Sequence, residues 1–300
     1  MSHDERFLSH HPSVKGFFDS ATNTISYVVA DENSKHCAII DSVLDYEPQS
    51  ATISFEHAEA LRTFITENGY VVDWILETHV HADHLSAAPY LKEKLGGKIA
   101  IGERICEVQE VFGKVFNEGT EFERDGSQFD ALFKDGDEFS VGGIPARVIA
   151  TPGHTPADVT YVIGDAVFSG DTLFMPDYGT ARVDFPGGSA EDMYASAQKL
   201  FGLPEQMRMF MGHDYLPEGR SEYRFETTVG EQKRTNIHIN ERTNIDAFVT
   251  LRKKRDTTLG MPRLIIPSLQ VNMRAGEIPK DSKTGTPFLK IPINSVFSQQ

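Results

Sequence analysis

The chain has 300 residues and a formal net charge of −15, long enough for a large core and too acidic to favour nucleic acid or an anionic membrane as partner. No apolar run approaches the roughly 20 residues that span a bilayer, and the opening Met1-Ser2-His3-Asp4-Glu5-Arg6 is polar, so neither a membrane span nor a secretory leader is expected. Two cysteines, Cys37 and Cys106, make no disulfide framework and point to a reducing, cytoplasmic setting.

Residues 25–30 and 36–41 read as paired strands joined through Asp31-Glu32-Asn33-Ser34. Asp41 closes the second strand and is expected either to face the site or, as the favoured role, to serve as a turn carboxylate. Residues 54–68 fit an amphipathic helix with Ala58, Leu61, Phe64 and Ile65 on one side. The apolar run 71–76 reads as a buried strand and opens onto Thr78-His79-Val80-His81-Ala82-Asp83-His84. Leu85, Ala88, Leu91 and Leu95 then recur at helical spacing up to Gly96-Gly97. The histidine motif is therefore expected on a strand-to-helix loop, where rigid elements can aim several side chains at one point. Imidazoles and carboxylates so placed are metal ligands by type.

A strand over 98–101 and a helix over 103–116 follow. Residues 117–136 form a polar excursion, expected either to border a substrate pocket or to serve as a plain connector. Strands resume at 139–143 and 146–150, and the second runs into Thr151-Pro152-Gly153-His154-Thr155-Pro156, a loop stiffened by its prolines. A hairpin over 159–163 and 166–169 turns at Gly164-Asp165 and ends at Gly170-Asp171. A helix over 189–201 and a strand over 207–211 lead to Gly212-His213-Asp214-Tyr215. His79, His154, Asp171 and His213 thus each follow a strand. Neither a dinucleotide-type Gly-x-Gly-x-x-Gly nor a Gly-x-Ser-x-Gly elbow occurs.

From Arg220 the composition turns charged and helical. Helices are expected over 226–236 and 241–256, followed by Pro262-Arg263-Leu264-Ile265-Ile266-Pro267. The expected division is a catalytic core over 1–219 and a helical cap over 220–300, integrated with that core. The basic cluster Arg252-Lys253-Lys254-Arg255 is expected as a solvated helix face.

The alternation of strands and helices, with His-x-His-x-Asp-His, Thr-Pro-Gly-His, Ser-Gly-Asp-Thr and Gly-His-Asp in that order, resembles the metallo-β-lactamase family from Ile25 to Tyr215. The resemblance implies an α/β fold, a four-layer αββα sandwich, here with a C-terminal helical extension. It implies two metal positions, His79, His81 and His154 for one and Asp83, His84 and His213 for the other, with Asp171 able to bridge. A second use of the same residues is open. His79, His154 and Asp171 form a set of two imidazoles and one carboxylate that suits Fe(II). Residue chemistry alone leans toward a zinc hydrolase.

Longer strings reverse that leaning. Residues 79–88, 174–182, 184–188, 227–232 and 267–276 resemble bacterial persulfide dioxygenases of the "β-lactamase-like hydrolase" subgroup. The resemblance implies Fe(II)- and dioxygen-dependent oxidation of glutathione persulfide to glutathione and sulfite, a sulfide-oxidising role. It implies one Fe(II) per chain on His79, His154 and Asp171, with His81, Asp83, His84 and His213 as outer groups around the ligands. Glutathione persulfide carries two carboxylates, and Arg182 and Arg274 are the expected guanidinium partners, with Tyr178 or Tyr215 donating a hydroxyl. A homodimer is a candidate assembly. Val183 departs from the Cys often found at its position among relatives. The alternative is a zinc-dependent hydrolase of a glutathione thioester or lactone.

Overall fold

The computed structural model describes residues 3–294. Strand Thr24–Asp31 is buried at every position, as a strand is when protein covers both of its faces. Its side chains alternate between two cores, as the period of two requires. Ile25, Tyr27 and Val29 face one cluster, whereas Val28 and Ala30 face another.

This strand belongs to a six-stranded sheet in the order Ser13–Asp19, Thr24–Asp31, His36–Ile40, Val71–Leu76, Lys98–Gly102, Ala131–Phe133. A second six-stranded sheet runs Glu138–Val141, Ile144–Ala150, Val159–Ile163, Ala166–Phe168, Arg208–Phe210, Glu226–Thr228. Tyr161, Ile163, Phe168 and Phe210 of the second sheet meet Tyr27, Ile40 and Leu76 of the first in the central core. The outer face of the first sheet is covered by helices Glu56–Glu67, Ala88–Leu95, Ile105–Val115 and Ile265–Asn272, through Leu61, Leu91, Val108 and Leu269. Helices Ala190–Phe201, Val229–Thr235 and Ile245–Asp256 cover the second through Met193, Val229 and Phe248. The result is the expected αββα arrangement of layers. No described helix is long and apolar enough to cross a membrane.

Three local expectations are corrected. Leu85–Ser86 is a short strand paired with Val43–Glu47, not the start of a helix. Ser86 donates its N–H to Asn272 Oδ1 and its hydroxyl to Glu77, so the helix begins only at Ala88, with a proline in its first turn where no N–H is needed. Glu226–Thr228 is the edge strand of the second sheet, and Thr228 Oγ accepts from Glu231 N to cap the helix that follows. Residues 117–136 do not border the main cavity described below. Phe122 and Phe129 turn into the first outer core instead, and Ala131–Phe133 extends the first sheet. Residues beyond 219 contribute that edge strand and helices on both outer faces.

Candidate metal centre and its cavity

Strand ends deliver the candidate ligands. Val71–Leu76 leads to His79, Ile144–Ala150 to His154, Ala166–Phe168 to Asp171 and Arg208–Phe210 to His213. Gly170 has φ +49, and a Cβ there would stand 2.6 Å from Thr78 Oγ. Glycine thus lets the Asp171 turn close against the histidine loop. His79, His154 and Asp171 are buried, and each offers one ligand atom within 4.8 Å of the other two.

Their orientation is fixed by hydrogen bonds on the far side of each ring. Thr78 Oγ donates to Asp41 Oδ2 at 2.8 Å. It is therefore left to accept from His79 Nδ1 at 3.0 Å. The lone pair of His79 consequently sits on Nε2, which is buried without a hydrogen-bond partner. Burial, then the imidazoles of His81 and His154, hold His79 well below the usual histidine range. His154 donates from Nδ1 to the carbonyl oxygen of Arg182 at 2.8 Å, which leaves its Nε2 lone pair 3.7 Å from Asp171 Oδ2. Asp171 Oδ1 is also buried without a hydrogen bond. Unpaired buried groups each cost about 1–3 kcal/mol, and one divalent cation would satisfy both of these, with His154 Nε2 beside them as a third donor. The residues fit a metal.

Asp41 takes both of the roles that the sequence left open. It does sit in a turn, at φ +51, but it also anchors the histidine loop. Its Oδ1 accepts from Thr78 N at 2.7 Å and lies 3.0 Å from His81 Nε2.

The other four histidine-loop and strand-end residues surround this group. His81 Nε2 stands 3.0 Å from Asp41 and 3.2 Å from Glu77. Against burial, which would lower it, those carboxylates raise His81 well above the usual range. Its Nδ1 is buried and unpartnered. Asp83 Oδ2 accepts from Thr24 Oγ at 3.0 Å and lies 3.0 Å from His84 Nδ1 and 3.6 Å from His213 Nε2. His84 Nε2 is likewise buried and bare, and His81, Asp83 and His84 form a second group of ligand atoms within 4.8 Å. His213 donates from Nδ1 to the Asn23 carbonyl at 3.1 Å, with Nε2 3.4 Å from Asp171 Oδ1. Burial works to lower the His213 pKa, and the carboxylates of Asp171 and Asp83 outweigh it and raise it.

Asn272 and Glu77 were not foreseen. Asn272 Nδ2 donates to the carbonyls of His81 and His84 at 2.9 and 2.8 Å, tying the loop to the last described helix. The only sequence signal was an amide at the end of a short helix that also carries Ser268 and Gln270.

A cavity of about 330 Å³ opens over His154 and Asp171. Tyr178, Tyr215 and Arg182 line it, and the two tyrosine rings stack at 5.1 Å. Arg182, however, has its guanidinium bound to both Asp184 oxygens at 2.6 and 2.7 Å and to the Gly260 carbonyl at 2.6 Å. Arg274 is not brought to the cavity. It pairs with Glu118 at 2.8 Å and lies over the Phe122 ring at 4.2 Å, on the side of the first outer core. Arg255 and Arg263 line the cavity instead, and neither makes an ion pair with another described residue. Arg255 lies 5.8 Å from the Tyr178 ring centre. The expected solvated face over 252–255 is therefore split. Lys253 and Lys254 face solvent, whereas Arg252, only 1% exposed, lies on the cavity side with Arg255, as residues three apart on a helix do. Val183 packs in the second outer core.

Comparison with known proteins follows this geometry. The model of the metallo-beta-lactamase superfamily matches residues 21–213. A probable metallo-hydrolase of Burkholderia pseudomallei is 51% identical over 294 residues, 95% of this chain and all of that protein. Hydroxyacylglutathione hydrolase of Brucella anthropi is 36% identical, over 62% of this chain and 65% of its own. The mitochondrial persulfide dioxygenase of Homo sapiens is 27% identical, over 88% of both chains. A crystal structure of ETHE1 from Myxococcus xanthus superposes with a TM-score of 0.70 at 27% identity, covering 88% of this chain and all of that one. Histidine and aspartate side chains at the strand ends of an αββα sandwich make a metal-binding site, and the chain belongs to the metallo-beta-lactamase superfamily.

Proposed function

We propose that the protein is a persulfide dioxygenase that uses Fe(II) and dioxygen to oxidise glutathione persulfide to glutathione and sulfite. His79, His154 and Asp171 would hold one iron per chain. The observation that carries this reading is their compact group of two imidazoles and one carboxylate, with the His79 Nε2 lone pair buried and bare. Similarity to the human persulfide dioxygenase also runs along 88% of the chain, beyond the stretch shared with hydroxyacylglutathione hydrolase. An iron held by these three residues would supply the dioxygen chemistry that the substrate's sulfur needs.

The chain's own residues bind, orient and balance charge. The Arg182 carbonyl and Thr78 hydroxyl fix which nitrogen of His154 and His79 faces the centre, the outer hydrogen bonds that hold ligand rings in place. His213, itself beside Asp83, steadies the Asp171 carboxylate. Arg255 and Arg263, whose planar forks pair with no carboxylate among the described residues, serve the glutathione carboxylates, and Tyr178 and Tyr215 stand on the same wall. A locally basic cavity is what a dianionic substrate requires of a chain with net charge −15.

A second reading is favoured by the bare nitrogens His81 Nδ1 and His84 Nε2, which suit a two-zinc hydrolase of a glutathione thioester or lactone. An oxygen electrode separates the two. Oxygen uptake with glutathione persulfide by the iron-loaded protein, with sulfite as product, supports the dioxygenase. Thioester hydrolysis by the zinc-loaded protein with no oxygen uptake in either form selects the hydrolase.

A further inference from the structure

Behind His154 lies a second cavity, much smaller than the first and of different character. Its volume is about 20 Å³, room for one molecule the size of water. Val80, Val108, Phe112, Phe185, Ile265 and Leu269 supply most of its wall. The polar side chains on that wall are His154 and Thr155, and both are engaged elsewhere. His154 Nδ1 donates to Arg182, while its Nε2 is turned toward Asp171. Thr155 donates its hydroxyl to Asp158 Oδ1 and its N–H to Asp158 Oδ2 at 2.8 Å. A buried water needs two to four polar partners, and a cavity without them stays dry and takes apolar guests.

The two cavities share three residues, Ala82, His154 and Phe185. The larger one presents Asp83, Asp171 and several arginines, a surface for a charged substrate. The smaller one presents hydrocarbon. One imidazole of the candidate triad therefore stands between a polar chamber and an apolar one. Dioxygen is uncharged, a poor hydrogen-bond acceptor and only slightly larger than water, so the chemistry of the second chamber admits it and a small yielding of the apolar walls gives it room.

We infer that the small cavity is a binding site for a small apolar gas, and that it supplies dioxygen to the triad by a route that does not compete with the anionic substrate. The identity of the gas rests on the proposed dioxygenase function, whereas gas binding itself does not. Val108 is on the helix Ile105–Val115 and Leu269 on Ile265–Asn272. Neither touches the larger cavity, so both can be enlarged without altering the substrate surface.

Krypton-pressurised crystals of the iron-loaded protein, paired with oxygen-electrode kinetics, test the inference. Krypton is expected in the cavity of the parent protein and absent from Leu269→Phe. That variant is expected to raise KM for dioxygen at least about threefold, with KM for glutathione persulfide and iron content unchanged. Val108→Ile adds a single methylene, a change a core accepts more readily, and should move KM for dioxygen in the same direction by a smaller factor. An empty cavity under krypton overturns the gas site whatever the enzyme's activity. Krypton binding with unaltered KM for dioxygen in both variants overturns the supply route. Krypton binding in a protein that consumes no oxygen overturns the dioxygenase reading and, with it, dioxygen as the guest.

Discussion

Arg252 donates from Nε and Nη2 to Asp256 Oδ1, at 2.9 and 2.6 Å, in the interior beside the main cavity. The pair grips the segment that orients His154. Arg252 Nη1 donates to the Thr180 carbonyl at 2.9 Å, and Asp256 Oδ2 accepts from Val183 N at 3.1 Å. Between those two anchors lies Arg182, whose carbonyl holds the His154 ring. A C-terminal helix thereby reaches the candidate metal centre through backbone hydrogen bonds rather than through a ligand of its own.

Replacing Arg252 by Met leaves a buried carboxylate without its cation, which typically costs about 3–5 kcal/mol. Metal affinity should fall as well, about 10-fold or more, because His154 loses its outer support. Urea denaturation and competition with a metal chelator measure the two effects. A variant with parental metal affinity would show that the clamp does not act on His154.

His238 gives the fold a pH dependence with a defined sign. Its Nδ1 accepts from Thr180 N at 3.0 Å, so the folded state needs the neutral ring. Burial, then the Arg252 and Arg255 cations, lower its pKa to about 4. The unfolded chain takes up a proton near pH 6.5 and the folded chain does not until about pH 4. Stability from this residue is therefore complete above pH 6.5 and lost as pH falls toward 4, by about 2–3 kcal/mol. His238→Gln keeps an acceptor and should flatten that slope in denaturation runs between pH 7 and 4.5. An unchanged slope in the variant would contradict the assignment.

Arg274 and Arg255 are expected to exchange the roles that the sequence suggested for them. Arg255→Ala should raise KM for glutathione persulfide about 10- to 100-fold, the value of one charge-assisted pair, with metal content unchanged. Arg274→Ala should leave KM unaltered and lower stability by about 1–3 kcal/mol, since the buried Glu118 would keep only Lys290 at 3.1 Å. Steady-state kinetics and thermal unfolding of the two variants check this pair of outcomes, and a raised KM in Arg274→Ala would reverse it.

The layers and the strand ends were legible because they depend on patterns local to the chain. Alternation of apolar residues marks a strand, and ligand-type residues just past a strand end are positioned by it. Long-range partners were not legible in that way. Arg274 lies within a string shared with persulfide dioxygenases, but nothing local says that it faces Glu118 and the Phe122 ring. Arg252 belongs to a basic run whose composition suggests solvent, while the helix phase takes it inside to Asp256. Leu85 shares the helical spacing of Ala88, Leu91 and Leu95, and the hydrogen bonds of its neighbour Ser86 to Asn272 and Glu77 override it. Asp41 was weighed as a turn residue because an aspartate that closes a strand suits a turn, and its φ of +51 agrees, yet the same turn places its carboxylate under Thr78 and His81.

The central claim is that His79, His154 and Asp171 alone ligate a single iron. It is tested most directly by metal analysis of protein purified without oxygen, together with its Asp171→Ala and Asp83→Asn variants. The account predicts about one iron per chain in the parent, loss of that iron in Asp171→Ala because two imidazoles no longer make a complete site, and retention of most of it in Asp83→Asn. About two zinc ions per chain in the parent, with metal lost from Asp83→Asn as well, would contradict it.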